Sequence, residues 1–116
     1  MSELARIEVG DAGEFRLVRI RGEVDISNAH ELSSAIEGAV SEAAQGLVVD
    51  LSYTTYLDSA AVELLFRLAD RLRARRLELR VVVPPDAPIR AVLELAALPK
   101  VVPLESRLDN VDLSRN

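Results

Sequence analysis

The chain has 116 residues, the length of one domain, and positions 1–116 are expected to share a single core. It has no Cys and a single His, which excludes disulfide staples, thiol nucleophiles and multi-histidine metal sites. Its net charge of −5 argues against nucleic acid as a partner, because phosphates call for a basic face.

Hydrophobic residues make up 49% of the chain and aromatics only 3%, so the core has to be built from Leu, Val, Ile and Ala. No run approaches the roughly 18–20 apolar residues of a membrane span. The opening Met1-Ser-Glu-Leu-Ala-Arg meets charged residues at once, unlike the apolar run of an export signal, so the expected compartment is the cytoplasm.

In chain order, Ala5 to Val9 predicts a first strand, turned back through Gly10-Asp11-Ala12-Gly13 as a hairpin. The alternation from Glu14 to Arg21 predicts its partner strand. After Gly22 the period becomes helical: Leu32, Ala35, Ile36, Ala39, Val40 and Ala43 share a face, Asn28 with Glu31 forms a capping box, and Gly46 ends the helix. Leu47 to Leu51, apolar at nearly every position, suits a parallel strand covered on both faces. A polar connection, Ser52 to Tyr56, leads to Leu57-Asp58-Ser59 and a second helix with Ala61, Leu64, Leu65, Leu68, Ala69 and Leu72 inward.

Leu77 to Val83 is the next strand, closed by Pro84-Pro85, and a third helix runs from about Asp86 or Ala87 to Leu98. Val101-Val102 is expected as a last short strand and Leu104 to Leu113 as a terminal helix. Strands alternating with helices predict an α/β fold. It has a four- to five-stranded mixed sheet, an N-terminal hairpin and helices packed mainly on one side.

The chemistry-bearing segment is Asp50 to Val62, where a buried strand feeds a loop that ends in Asp58-Ser59 at a helix start. A hydroxyl there lies beside unsatisfied amides and the positive end of the helix dipole, which favour a phosphate. Asp58 or Ser59 is also the kind of residue that simply caps a helix.

Gly22-Glu-Val-Asp25 after a strand, the helix beginning at Asn28, and Val49-Asp-Leu-Ser52 followed by Leu57-Asp-Ser59 resemble the STAS domain. That is the family of bacterial anti-sigma factor antagonists and sulphate-transporter tails, and the resemblance runs from about Glu14 to Leu104. It implies that Ser59 is phosphorylated by a cognate anti-sigma factor that is also a serine kinase. It further implies that Asp25 lies near the phosphoacceptor, with Asp25, Asp58, Ser59 and Ala60 on the partner surface. The unphosphorylated form would bind the kinase and free a sigma factor, and a phosphatase would reset the switch. A non-phosphorylated STAS adaptor, scaffolding a transporter or signalling assembly, is the alternative. Two departures stand out: Ala60 and Ala61 replace the usual Ser or Thr and Gly, and Ala96-Ala97-Leu98 stands where a Ser-Gly pair is usual, a local change in the helix ending.

Ser52, Thr54 and Thr55 are lesser phosphoacceptor candidates, His30 reads as a solvent-facing helix residue, and Arg71, Arg73, Arg75 and Arg76 as charges offsetting a helix C-terminus. No Gly-rich phosphate loop, dinucleotide fingerprint or Ser-His-Asp set is present, so neither an enzyme nor a cofactor is expected.

Overall fold

The computed structural model describes residues 4–40 and 43–108. Its organising strand is β2 (Phe15–Val24), whose two faces are both apolar near the middle and which therefore needs cover on each side. β1 (Ala5–Ala12) pairs with it antiparallel, from Ala5 opposite Gly22 to Ala12 opposite Phe15. Gly13, at φ 62, takes the first place of the two-residue hairpin turn, where a left-handed conformation is cheapest for glycine.

α1 (Ala29–Ala39) and α2 (Ser59–Ala74) are the crossovers to β3 (Gly46–Asp50) and β5 (Glu78–Val82). Both strands run parallel within the sheet, which has the order β1-β2-β3-β5-β6, with β6 at Leu104–Glu105 and β4 (Thr54–Leu57) on β2. α3 (Pro88–Leu95) follows, with proline at its first position, where no amide partner is lost.

The main core lies between one sheet face and the helices. Val18, Ile20, Val49, Leu51, Val81 and Val83 meet Leu32 and Ile36 of α1, Leu65, Leu68 and Leu72 of α2, and Ile89 and Leu93 of α3. A smaller cluster of Phe15, Val48 and Val82, with Leu17 and Leu108 against it, occupies the opposite face. The expected architecture is therefore present, a mixed sheet with an antiparallel first strand and helices on one side, but the sheet has six strands among the described residues where four or five were expected, because β4 adds one.

Several local expectations are corrected. Gly46 does not end a helix; it opens β3, where a Cβ would stand 2.1 Å from the Glu78 carbonyl oxygen, so the residue serves close strand approach. α1 stops at Ala39, whose carbonyl accepts from Arg16 Nε at 3.0 Å. Val101-Val102 is not a strand: a 3-10 turn over Leu98–Lys100 precedes it, and buried Val102 fills the core instead. The last strand, β6, is Leu104–Glu105 beside Val81 and Val82, so the expected terminal helix does not begin at Leu104. Its residues beyond 108 lie outside the described residues.

Candidate functional site

The segment expected to be a polar loop contains a strand. Thr54–Leu57 forms β4, parallel to the last residues of β2, with Gly22 opposite Thr54 and Val24 opposite Leu57. Its composition hid it from an apolar-periodicity reading. β-branched and aromatic residues at Thr54, Thr55 and Tyr56 are the signal that could have found it. The buried Thr54 hydroxyl donates to the Ile20 carbonyl at 2.8 Å, and Thr55 donates to the Gly22 carbonyl at 3.2 Å. Two of the lesser phosphoacceptor candidates thus brace the backbone, and half-buried Ser52 donates its amide to Asp50 Oδ1 at 3.0 Å.

Gly22 marks where β2 changes partners. Its φ is 113, and a Cβ would stand 2.2 Å from the Leu4 carbonyl oxygen, so only glycine fits the irregularity. Beyond it, β2 and β4 end side by side, and the Asp58 amide donates to the Val24 carbonyl at 3.3 Å. Two loops are thereby brought together, Asp25 to Asn28 before α1 and Asp58 before α2.

Asp58 is the N-cap of α2: its Oδ1 accepts from the Ala61 amide at 3.1 Å and its carbonyl from Val62 at 3.1 Å. Its second carboxylate oxygen accepts from the Ile26 amide at 3.0 Å, joining the two loops. Ser59 is therefore not the cap. It is the first residue of α2 and faces solvent, with half-buried Ala60 packed behind it and Ala61 only 2% exposed in the core. Ala61, which departs from the family's usual residue, contributes its methyl group to the packing there.

Asp25 is tied into its own loop. Its Oδ1 accepts from the Ser27 amide at 2.8 Å and the Ser27 hydroxyl at 2.5 Å, while its amide donates to Asn28 Oδ1 at 2.9 Å. The Ser27 hydroxyl first, and the Ser27 amide after it, hold the Asp25 carboxyl below the usual carboxylate value. The expected Asn28–Glu31 capping box does not form. The Asn28 side chain points back instead, its Nδ2 donating to the Glu23 carbonyl at 2.9 Å, because the sharp exit from β2 leaves that carbonyl available.

Beside Ser59 an open groove of about 520 Å³ runs between α2 and α3, with Val62 and Phe66 on one wall and Val92 and Leu95 on the other. Asp58 and Glu63 give its rim negative charge. The remaining candidates lie elsewhere: His30 is exposed on α1, Arg71 pairs with Glu37, and Arg73 pairs with Asp70 at 3.8 Å. Among the described residues there is no cluster of three or more His, Cys, Asp or Glu side chains able to hold a metal ion. No helix among them is long and apolar enough to cross a membrane.

A family model for the STAS domain matches residues 6–111. Among solved structures, an anti-sigma factor antagonist from Mycobacterium paratuberculosis is similar, with a TM-score of 0.79 and 29% identity over 91% of this chain and 89% of that one. The anti-sigma factor antagonist SpoIIAA in its unphosphorylated form superposes with a TM-score of 0.70 at 17% identity, covering 93% of each chain. The phosphorylated form of the Bacillus cell fate determinant SpoIIAA gives a TM-score of 0.63 at 18% identity, covering 93% of this chain and 96% of that one.

Proposed function

The chain belongs to the STAS family, and from that premise we propose that it is an anti-sigma factor antagonist switched by phosphate on Ser59. In this reading the unphosphorylated protein binds an anti-sigma factor that is also a serine kinase, a sigma factor is released in the cytoplasm, and a phosphatase restores the switch. Asp25, Asp58, Ser59 and Ala60 belong to the contact surface.

The observation that carries the proposal is the division of labour at the start of α2. Asp58 performs the capping, which leaves Ser59 exposed and without that structural duty. A phosphate there adds a charge of about −1.5 to −2 next to the Asp58 carboxylate. Buried without a counter-charge at an interface, it strongly disfavours the complex. A hundredfold preference for the unphosphorylated form needs only about 2.7 kcal/mol.

The test is incubation with ATP and each purified anti-sigma factor kinase of the source organism, followed by intact-mass analysis. The expected result is one added phosphate, about 80 Da, that is absent from Ser59→Ala. Ser59→Ala retains binding to the kinase that modifies the wild type, and Ser59→Asp binds more weakly by roughly 1–3 kcal/mol. Both variants keep the cap and melt close to wild type. If the wild type binds such a kinase without gaining a phosphate on Ser59, the adaptor alternative replaces the switch.

A further inference from the structure

Ile26 and Leu95 are 80% and 89% exposed, and among the described residues no other large apolar side chain is more than half exposed. Burial inside this chain explains neither side chain. Both lie at the phosphoacceptor end: the Ile26 amide is bonded to Asp58, one residue before Ser59, and Leu95 lines the groove that Ser59 opens. Tyr56 and Val92, both partly exposed, add apolar surface at this end.

The backbone that carries Ile26 is hydrogen-bonded on both sides. The Asp58 carboxylate accepts from the Ile26 amide, the Asp25–Ser27 bonds close the turn around it, and Asn28 ties that turn to the Glu23 carbonyl. An apolar side chain on backbone that is already fixed costs less ordering entropy to cover than one on a mobile loop, which suits an interface anchor.

We infer that Ile26 and Leu95 are paired apolar anchors, one on each side of Ser59, that seat the anti-sigma factor kinase and determine which kinase is accepted. The inference rests on the proposed switch at Ser59. Its occupant follows from position: an enzyme that delivers phosphate to Ser59 must close over this end of the domain, and closing over it covers both side chains. The partner's complementary surface is apolar, with cationic groups placed for Asp58 and Glu63. Phosphate acts between the anchors and sets when binding occurs, whereas the anchors set with whom.

The probe is the kinase identified above by its phosphorylation of the wild type, titrated calorimetrically with the unphosphorylated full chain. Ile26→Ser and Leu95→Ser are each expected to weaken binding at least about tenfold, as truncation of an interface anchor does. Each is also expected to slow phosphorylation of Ser59 at subsaturating kinase, with the melting temperature unchanged. Ile26→Leu restores binding. Val9→Ser, which removes another partly exposed apolar side chain on the edge strand β1, leaves both readouts at wild-type values. If Ser59→Asp weakens binding while Ile26→Ser and Leu95→Ser bind as wild type, the anchors are wrong and the switch stands. If no kinase modifies Ser59, the two fall together.

Discussion

The Ile26 amide donates to Asp58 Oδ2 across 3.0 Å, joining residues 32 positions apart, while Asp58 Oδ1 caps α2 through the Ala61 amide at 3.1 Å. One carboxylate therefore sets both the start of the helix and the position of the loop opposite. Asp58→Ala loses both bonds and is expected to cost about 1–3 kcal/mol, a cap plus a charge-assisted hydrogen bond. Asp58→Asn keeps one acceptor oxygen and should lose less than half as much. Thermal melts of the two variants check the order. Equal losses would show that the oxygen Asn retains contributes nothing, whereas an Asp58→Asn variant as stable as wild type would show that the contact with Ile26 adds nothing to the cap.

Asp25 gives a pH dependence whose sign follows from its lowered pKa. A carboxyl depressed by folding stabilises the protein above its unfolded value, about 3.9. That contribution is lost as the pH falls through the lower folded value. The stability gap between wild type and Asp25→Ala should therefore be full at pH 7 and narrow as the pH drops below about 4. In an NMR titration of the Asp25 carboxyl, Ser27→Ala should move the midpoint upward, because the Ser27 hydroxyl is the largest cause of the depression. An unmoved midpoint would assign the depression to the loop amides.

On the other face of the sheet Arg19 and Asp50 form a pair that is closed on the acid side. Asp50 is 2% exposed and accepts from Arg19 Nε at 2.8 Å, and the Arg19 and Arg21 guanidiniums lie over the Tyr53 ring at 5.4 and 4.3 Å. The hydrogen bond that Arg19 donates to Asp50 raises the Arg19 pKa above its ordinary value. Arg19→Met leaves a buried carboxylate without its counter-charge and should cost about 2–4 kcal/mol, somewhat less than a fully buried pair because Arg19 itself is partly exposed. Arg19→Met combined with Asp50→Leu should recover much of that loss. Urea denaturation of the single and double variants reads the coupling directly.

Ala97 has φ 66 and ψ 25, a left-handed conformation that suits glycine, between the end of α3 and the 3-10 turn. It lies in the stretch Ala96-Ala97-Leu98 that departs from the usual Ser-Gly, and a glycine at this position would carry no Cβ strain. Ala97→Gly should raise stability by about 0.5–1 kcal/mol, the relief of the Cβ contact less the entropy that glycine adds to the unfolded chain. A lower melting temperature in this variant would show that the Ala97 methyl group contributes packing that outweighs its strain.

Most of what depends on apolar period was legible in the sequence, although Ala35, expected on the apolar face of α1, is exposed. Leu32 and Ile36 of α1, the α2 stripe from Ala61 to Leu72, and the continuous run Leu47 to Leu51 all lie in the core where the periodicity put them. The missed features depend on hydrogen-bonding choices that period does not encode. β4 is held by threonine hydroxyls and by backbone pairing to β2, and its exposed Thr55 and Tyr56 carry no apolar signal. Asn28 had two local uses open to it, capping α1 or reaching back to Glu23, and only the path of the chain out of β2 decides between them. Asp25 was expected at the surface near Ser59. It is half-buried and also braces its loop, a second duty that no spacing rule reveals.

The change of partner along β2 has a consequence for how the domain tolerates variation. Phe15–Arg19 is bonded to β3, whereas Gly22–Val24 is bonded to β4, so Asp25 and Asp58 hang from the two tips of a single fork in the sheet. Their separation is fixed by backbone pairing below them and is independent of how α1 and α2 sit on the core. The outer surfaces of both helices can drift freely in sequence while the spacing of the Asp25 and Asp58 loops is preserved. A single-residue insertion on either prong, between Gly22 and Asp25 or between Thr54 and Asp58, would instead put the two loops out of step and part Ile26 from its carboxylate.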